Sequence, residues 1–136
     1  MKNLKTLIKL RKHSINEILK RISLLQQHKA ILEERLINLV REMEMEANQF
    51  SATEYAFALD NYLVGAREQK QRYLHGVVTA EYKIQETQVV LHEEFGEMKK
   101  LEIALQNREK EKSFEESALE TKSIDDMNIM KKFGAK

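Results

Sequence analysis

From Leu4 to Phe50 the seam positions recur at alternating steps of four and three residues without a slip. They are Leu4, Ile8, Arg11, Ile15, Ile18, Ile22, Leu25, Lys29, Leu32, Leu36, Leu39, Met43, Glu46 and Phe50. Eleven of the fourteen are apolar, enough to give a helix one continuous sticky stripe. A 3.5-residue repeat held this long is the pattern of a coiled-coil seam. Beside it stand Leu7, Leu19, Leu24, Ile31, Ile37 and Val40. They are expected to widen the stripe toward the same partner, since a core-facing stripe is often three positions per heptad wide. A second contact surface is the alternative.

After Ser51 the rhythm resumes through Ala56, Leu59, Leu63, Ala66, Lys70, Tyr73, Val77, Ala80, Ile84, Thr87, Leu91, Glu94, Met98, Leu101 and Leu105. It then turns polar, with Arg108, Lys112 and Glu115 in step and only Leu119 apolar. Two seams of similar length thus flank the stretch Phe50-Ser51-Ala52-Thr53-Glu54-Tyr55. Ser51 and Glu54 have the spacing of an S-x-x-E capping box, and Phe50 and Tyr55 that of a hydrophobic staple. The prediction is an all-α chain: a two-helix antiparallel coiled-coil hairpin with its turn near residues 48–53 and its second helix longer than the first. Helix 1 is expected at about 3–48, helix 2 at about 52–121 and a C-terminal tail at 122–136, all in a single coiled-coil domain.

Equal rise on both arms would pair Leu4 with Met98 and Ile22 with Ala80, in a rod about 70 Å long. Three charges interrupt the first seam. Arg11 would lie near Leu91, within reach of Glu94. Lys29 would lie near Tyr73, its stem covering the ring and its ammonium reaching water. Glu46 would stand close to the turn. Polar seam positions of this kind set register. Glu17 and Arg21 have a favourable i,i+4 spacing on the solvated side. Gly65, Gly76 and Gly96 lie inside the second helix, at a cost of about 1 kcal/mol each relative to Ala. Glu42, Glu44 and Glu46 oppose the dipole at the end of the first helix, so the tip is expected to be mobile.

Composition narrows the function classes. The chain of 136 residues has no Pro, no Cys, no Trp and a net charge of only +1. Absence of Cys excludes disulfides and thiolate metal sites and fits a reducing cytoplasm. No apolar run approaches the roughly 18 residues of a membrane span. The basic start is interrupted by Lys5 and Lys9, unlike a signal peptide. Near-zero net charge argues against a nucleic-acid binder.

No catalytic chemistry is expected. His13, His28, His75 and His92 share no ligand spacing, and there is no H-E-x-x-H, P-loop, G-x-G-x-x-G or G-x-S-x-G. The chain is read as a non-enzyme with no catalytic residue, metal or cofactor, working by contact. After Leu105, Arg108-Glu109-Lys110-Glu111-Lys112 suits a solvated helix. Ser123-Ile124-Asp125-Asp126 offers a second cap, and Ile124, Met127, Met130 and Phe133 follow at helical spacing. These last residues read equally as a frayed tail or as a short docking peptide.

Several segments resemble one family. Leu4-Lys5-Thr6-Leu7-Ile8-Lys9-Leu10-Arg11-Lys12 looks like the start of FliJ, the small coiled-coil protein of the bacterial flagellar type III export apparatus. Met98-Lys99-Lys100-Leu101-Glu102 continuing through Arg108-Glu109-Lys110 resembles that family's lysine-leucine-glutamate stretch. Glu120-Thr121-Lys122-Ser123-Ile124-Asp125-Asp126 resembles its acidic tail motif. Tyr55, Leu59 and Tyr62 fall where the family carries aromatic and aliphatic residues just past the turn.

The resemblance implies a central stalk for a hexameric export ATPase, monomeric when free, cytoplasmic and peripherally associated with the inner-membrane export apparatus. By that resemblance Lys5, Lys9, Lys12, Arg108, Lys112, Ile124 and Met127 would meet the ATPase ring. Met43, Tyr55, Leu59 and Tyr62 would meet the export-gate membrane protein and the export chaperones. The rival readings are the equivalent stalk of a virulence-type secretion system, a generic coiled-coil dimer, and a peripheral membrane amphipath.

Overall fold

The computed structural model describes residues 2–134, with side chains described for residues 3–132. Lys2 and Phe133, which entered the sequence reading, have side chains outside that range. The chain is all-α. Helix α1 runs Lys2–Phe50 and helix α2 runs Ala56–Gly134. They form an antiparallel two-helix coiled-coil hairpin whose second helix is the longer. With no Pro anywhere, nothing interrupts the i→i−4 hydrogen-bond ladder of either helix.

Contacts divide the chain into two units. One comprises residues 15–93 and holds the bend. Its core is Ile15 and Ile22 of α1 against Leu59, Ala66, Ala80 and Ile84 of α2. Thr87 is buried with them, its hydroxyl donating to the Lys83 carbonyl at 2.7 Å. The other unit comprises residues 1–14 and 94–136, with Ile8 buried.

All fourteen α1 seam positions and all fifteen α2 seam positions are buried or half-buried. The 3.5-residue period therefore identifies the packed face on both helices. The widened stripe does not form. Leu7, Leu19, Leu24, Ile31 and Ile37 are exposed, and only Val40 is half-buried. A pair of helices has a single seam between them, and residues flanking it face solvent unless a third element covers them.

The bend also differs from the capping-box expectation. The Ser51 amide donates to the Ala47 carbonyl at 3.1 Å, extending α1's own ladder. That amide is no longer open to the Glu54 carboxylate, and the box is not made. Thr53 takes the capping role instead. Its hydroxyl donates to the Phe50 carbonyl at 2.8 Å and accepts from the Tyr55 amide at 3.2 Å. The first α2 ladder bond runs from the Leu59 amide to the Tyr55 carbonyl at 2.9 Å. The staple pair does meet: the Phe50 and Tyr55 rings pack edge-to-face, 5.9 Å apart at 82°.

The bend thus occupies residues 51–55, centred on Thr53 rather than Ser51. A shift of two residues at the centre moves each partner on α2 by about one helical turn. For Lys29 that shift alone gives Val77, and its long side chain reaches one turn further along α2 to Glu81 at 2.6 Å, with Glu33 of its own helix at 3.6 Å, rather than lying over Tyr73. In the other unit Arg11 does reach Glu94, its Nη1 donating to both carboxylate oxygens at 2.9 and 3.0 Å. Glu17 pairs with Lys20 at 3.4 Å rather than with Arg21.

The expected tail is helical as well. Residues 122–134 continue α2, and Ser123 does not start a new helix. No Gly or Pro stands between Glu97 and Phe133 to end it.

The three interior glycines of α2 differ in their surroundings. A methyl group on Gly76 would stand 2.8 Å from Leu32 Cδ1, so the helices approach closely there. Gly65 and Gly96 have nothing within 4 Å of that position. Gly65→Ala and Gly96→Ala are expected to stabilise the protein by about 0.4–1 kcal/mol each. Gly76→Ala gains the same helix propensity but must rotate Leu32, and its stability should change less. Thermal denaturation of the three variants checks the ranking.

Candidate functional site

Two surfaces collect the candidate residues, one in each unit. At the bend, an open cleft of about 520 Å³ is lined by Glu46, Phe50, Tyr55, Ala58, Leu59 and Tyr62. Phe50 and Glu46 come from the last turns of α1, and Ala58, Leu59 and Tyr62 from the first turns of α2. The Thr53-capped bend brings them together. Three of the four expected bend residues, Tyr55, Leu59 and Tyr62, line this cleft. Leu59 is buried in the seam, Tyr62 is half-buried and Tyr55 is exposed. Met43, the fourth, is half-buried in the seam and does not line the cleft.

Sequence reasoning missed Glu46, Phe50 and Ala58 as cleft residues. Phe50 carried a usable signal, the five-residue spacing to Tyr55 across the break. Glu46 carried none, since a charge at a seam position close to the turn reads as setting register.

The Tyr62 hydroxyl is buried and makes no hydrogen bond. Burial pushes its phenol above the ordinary value, and the neighbouring Glu42 and Glu46 carboxylates add to the rise by disfavouring phenolate. Glu42 acts on the phenol both as a hydrogen-bond partner and by its charge, although the geometry falls short of a formed hydrogen bond. A buried hydroxyl with no partner is uncommon in native proteins and marks a place where a further donor or acceptor would be gained.

The second surface lies in the unit that holds both chain ends. Lys5, Lys9 and Lys12 are exposed on α1, and Arg108 and Lys112 are exposed on α2. Every described residue from Gln106 to Lys132 is exposed. Within that stretch Ile124 and Met127 are 57% and 62% exposed, and Phe114, Leu119, Ile129 and Met130 are open too. An uncovered helix carrying large apolar side chains is a surface on which a partner would bury area.

Among the described residues no three His, Asp or Glu side chains converge to hold a metal. No helix among them is long and apolar enough to cross a membrane. Comparison of the chain with protein-family models, with curated proteins and with solved structures finds no match.

Proposed function

We propose that this chain is a non-enzymatic, stalk-type component of a bacterial flagellar type III protein export apparatus. In this reading it resembles FliJ. It acts in the cytoplasm, peripherally associated with the inner-membrane export apparatus. Its terminal residues engage a hexameric export ATPase, and its bend faces the export gate and the chaperones.

One observation carries the reading: α2 from Gln106 to Lys132 is helical and wholly exposed, with apolar side chains that the chain itself does not cover. It stands in the same unit as the exposed basic start, Lys5, Lys9 and Lys12. A shaft held in a ring must turn or release, so many weak contacts serve it better than a few strong ones. Exposed ion pairs of about 0–1 kcal/mol each are of that kind.

Truncation after Leu105 tests the reading. Because the removed side chains are exposed, the rest of the hairpin should keep its helicity and its melting temperature. Stimulation of the purified ATPase by the full chain should be lost on truncation. Undiminished stimulation by the shortened chain would overturn the proposal.

A further inference from the structure

Between Glu42 and Ala66 the chain carries Glu42, Glu44, Glu46, Glu54 and Asp60 and no Lys or Arg. A local charge of −5 in a chain of net +1 is a strong asymmetry, and it surrounds the aromatic cleft. Among the described residues none of these carboxylates meets a cationic side chain. Glu46 lines the cleft itself beside the rings of Phe50, Tyr55 and Tyr62. The last turn of α1 has no basic residue and the first turn of α2 no acidic one, so neither helix end neutralises its dipole. The two half-charges oppose one another at the bend, which leaves the five carboxylates to set the field.

We propose that the bend cleft seats an arginine, flanked by apolar residues, from a basic amphipathic segment of a partner protein. A guanidinium is planar and weakly hydrated, and it stacks on aromatic rings while its edge donates to a carboxylate. Phe50, Tyr55 and Tyr62 supply the rings and Glu46 supplies the carboxylate. Glu42, Glu44, Glu54 and Asp60 lie outside the cleft and draw a cationic segment toward it. Met45 and Phe57, 65% and 79% exposed, flank the bend and offer apolar surface for the residues beside the arginine. An acidic or neutral segment would leave Glu46 unpaired on binding. The inference rests on the stalk reading only in treating the bend as a partner-facing surface.

The test uses the full chain and two helical peptides of identical Leu and Ala content. One carries arginines and the other glutamates at the same positions. Ring signals of the four tyrosines report the site by NMR. The arginine peptide should shift Tyr55 and Tyr62 and leave Tyr73 and Tyr82 unmoved. Its affinity should fall with added salt. It should fall roughly tenfold in a Glu42→Gln, Glu46→Gln double variant, since the charge that contacts the arginine and one of those that attract it are both removed. Tyr55→Leu keeps apolar volume without a ring and should also weaken binding, with circular dichroism showing the helices intact.

Equal binding of the two peptides would overturn the proposal. So would unmoved Tyr55 and Tyr62 signals, which would place the peptide on the acidic residues of α2 beyond Gln106. Concentration-dependent shifts of Tyr55 and Tyr62 without peptide would assign the cleft to the basic start of a second copy, and would also overturn it. No ATPase enters the measurement, so this inference and the stalk reading fail separately.

Discussion

Ile84→Ala is expected to lower the free energy of unfolding by about 2–3 kcal/mol, toward the lower end of the range for buried Ile truncations. Ile84 is 4% exposed and stands in the α2 seam, two helical turns before the half-buried Leu91. The loss comes from apolar area returned to water and from contacts left unmade around the gap. It stays near the low end because this seam has only two walls. Among the described residues no large side chain is completely enclosed, so a gap at Ile84 opens toward solvent and is partly hydrated. Against a total of about 5–15 kcal/mol for a domain, the loss is still large. A fall in the urea midpoint at unchanged slope measures it. Ile37→Ala is the control. Ile37 is 57% exposed beside the seam, and its truncation should change stability by no more than about 0.5 kcal/mol. Equal losses at the two positions would mean that Ile37 is covered in solution.

That control marks the boundary of what the sequence made legible. Ile15, Ile22, Ala80 and Ile84 were readable as core because a 3.5-residue step sustained over dozens of residues arises almost only where helices wind about one another. The return of the same step after a short break made the hairpin readable, and its decay after Leu105 marked where packing ends. Leu24 and Ile31 were not readable as exposed. Their chemistry matches that of a core position, and only the number of packed layers decides their fate. The bend was misplaced by two residues because Ser51 and Thr53 both have side-chain oxygens suited to capping. Which one caps depends on whether α1 uses the Ser51 amide for its own ladder, a matter of one hydrogen bond. That small difference supplies one of the two turns by which Lys29's partner moves from Tyr73 to Glu81, and the reach of the lysine side chain supplies the other. Arg11 kept its expected partner because Glu94 already lay toward the shifted layer. At the bend, Tyr55, Leu59 and Tyr62 were visible as residues but the cleft was not. It exists only because Glu46 and Phe50 return from the other helix.

Lys29→Glu is expected to lower the melting temperature by several degrees, because it sets a third carboxylate beside Glu81 and Glu33. The native pair shows its coupling in both partners. The hydrogen bond to Glu81 raises Lys29 above its ordinary value against the opposing effect of burial. The hydrogen bond from Lys29, with its charge, lowers Glu81 below its ordinary value of 4.5. A lowered carboxylate stabilises the fold above that ordinary value and loses the contribution as pH falls through the folded value. A raised lysine stabilises below its ordinary value of 10.5 and loses the contribution only above it. The pair therefore helps the fold across neutral pH, and Glu81→Gln should flatten the acid limb of the stability curve. Adding Glu81→Lys to Lys29→Glu restores opposite charges with the signs exchanged, and most of the lost melting temperature should return. Recovery beyond the sum of the single effects is the signature of direct contact. The same variants decide between a hairpin and two chains paired through these helices. If the contact is within one chain, mixing the Lys29→Glu and Glu81→Lys proteins rescues neither, since each chain still holds a like-charge pair. If the contact is between chains, unfolding and refolding the two together creates an interface with opposite charges restored, and a more stable species appears. That species, sedimenting at twice the mass, would overturn the intramolecular pairing on which both candidate surfaces depend.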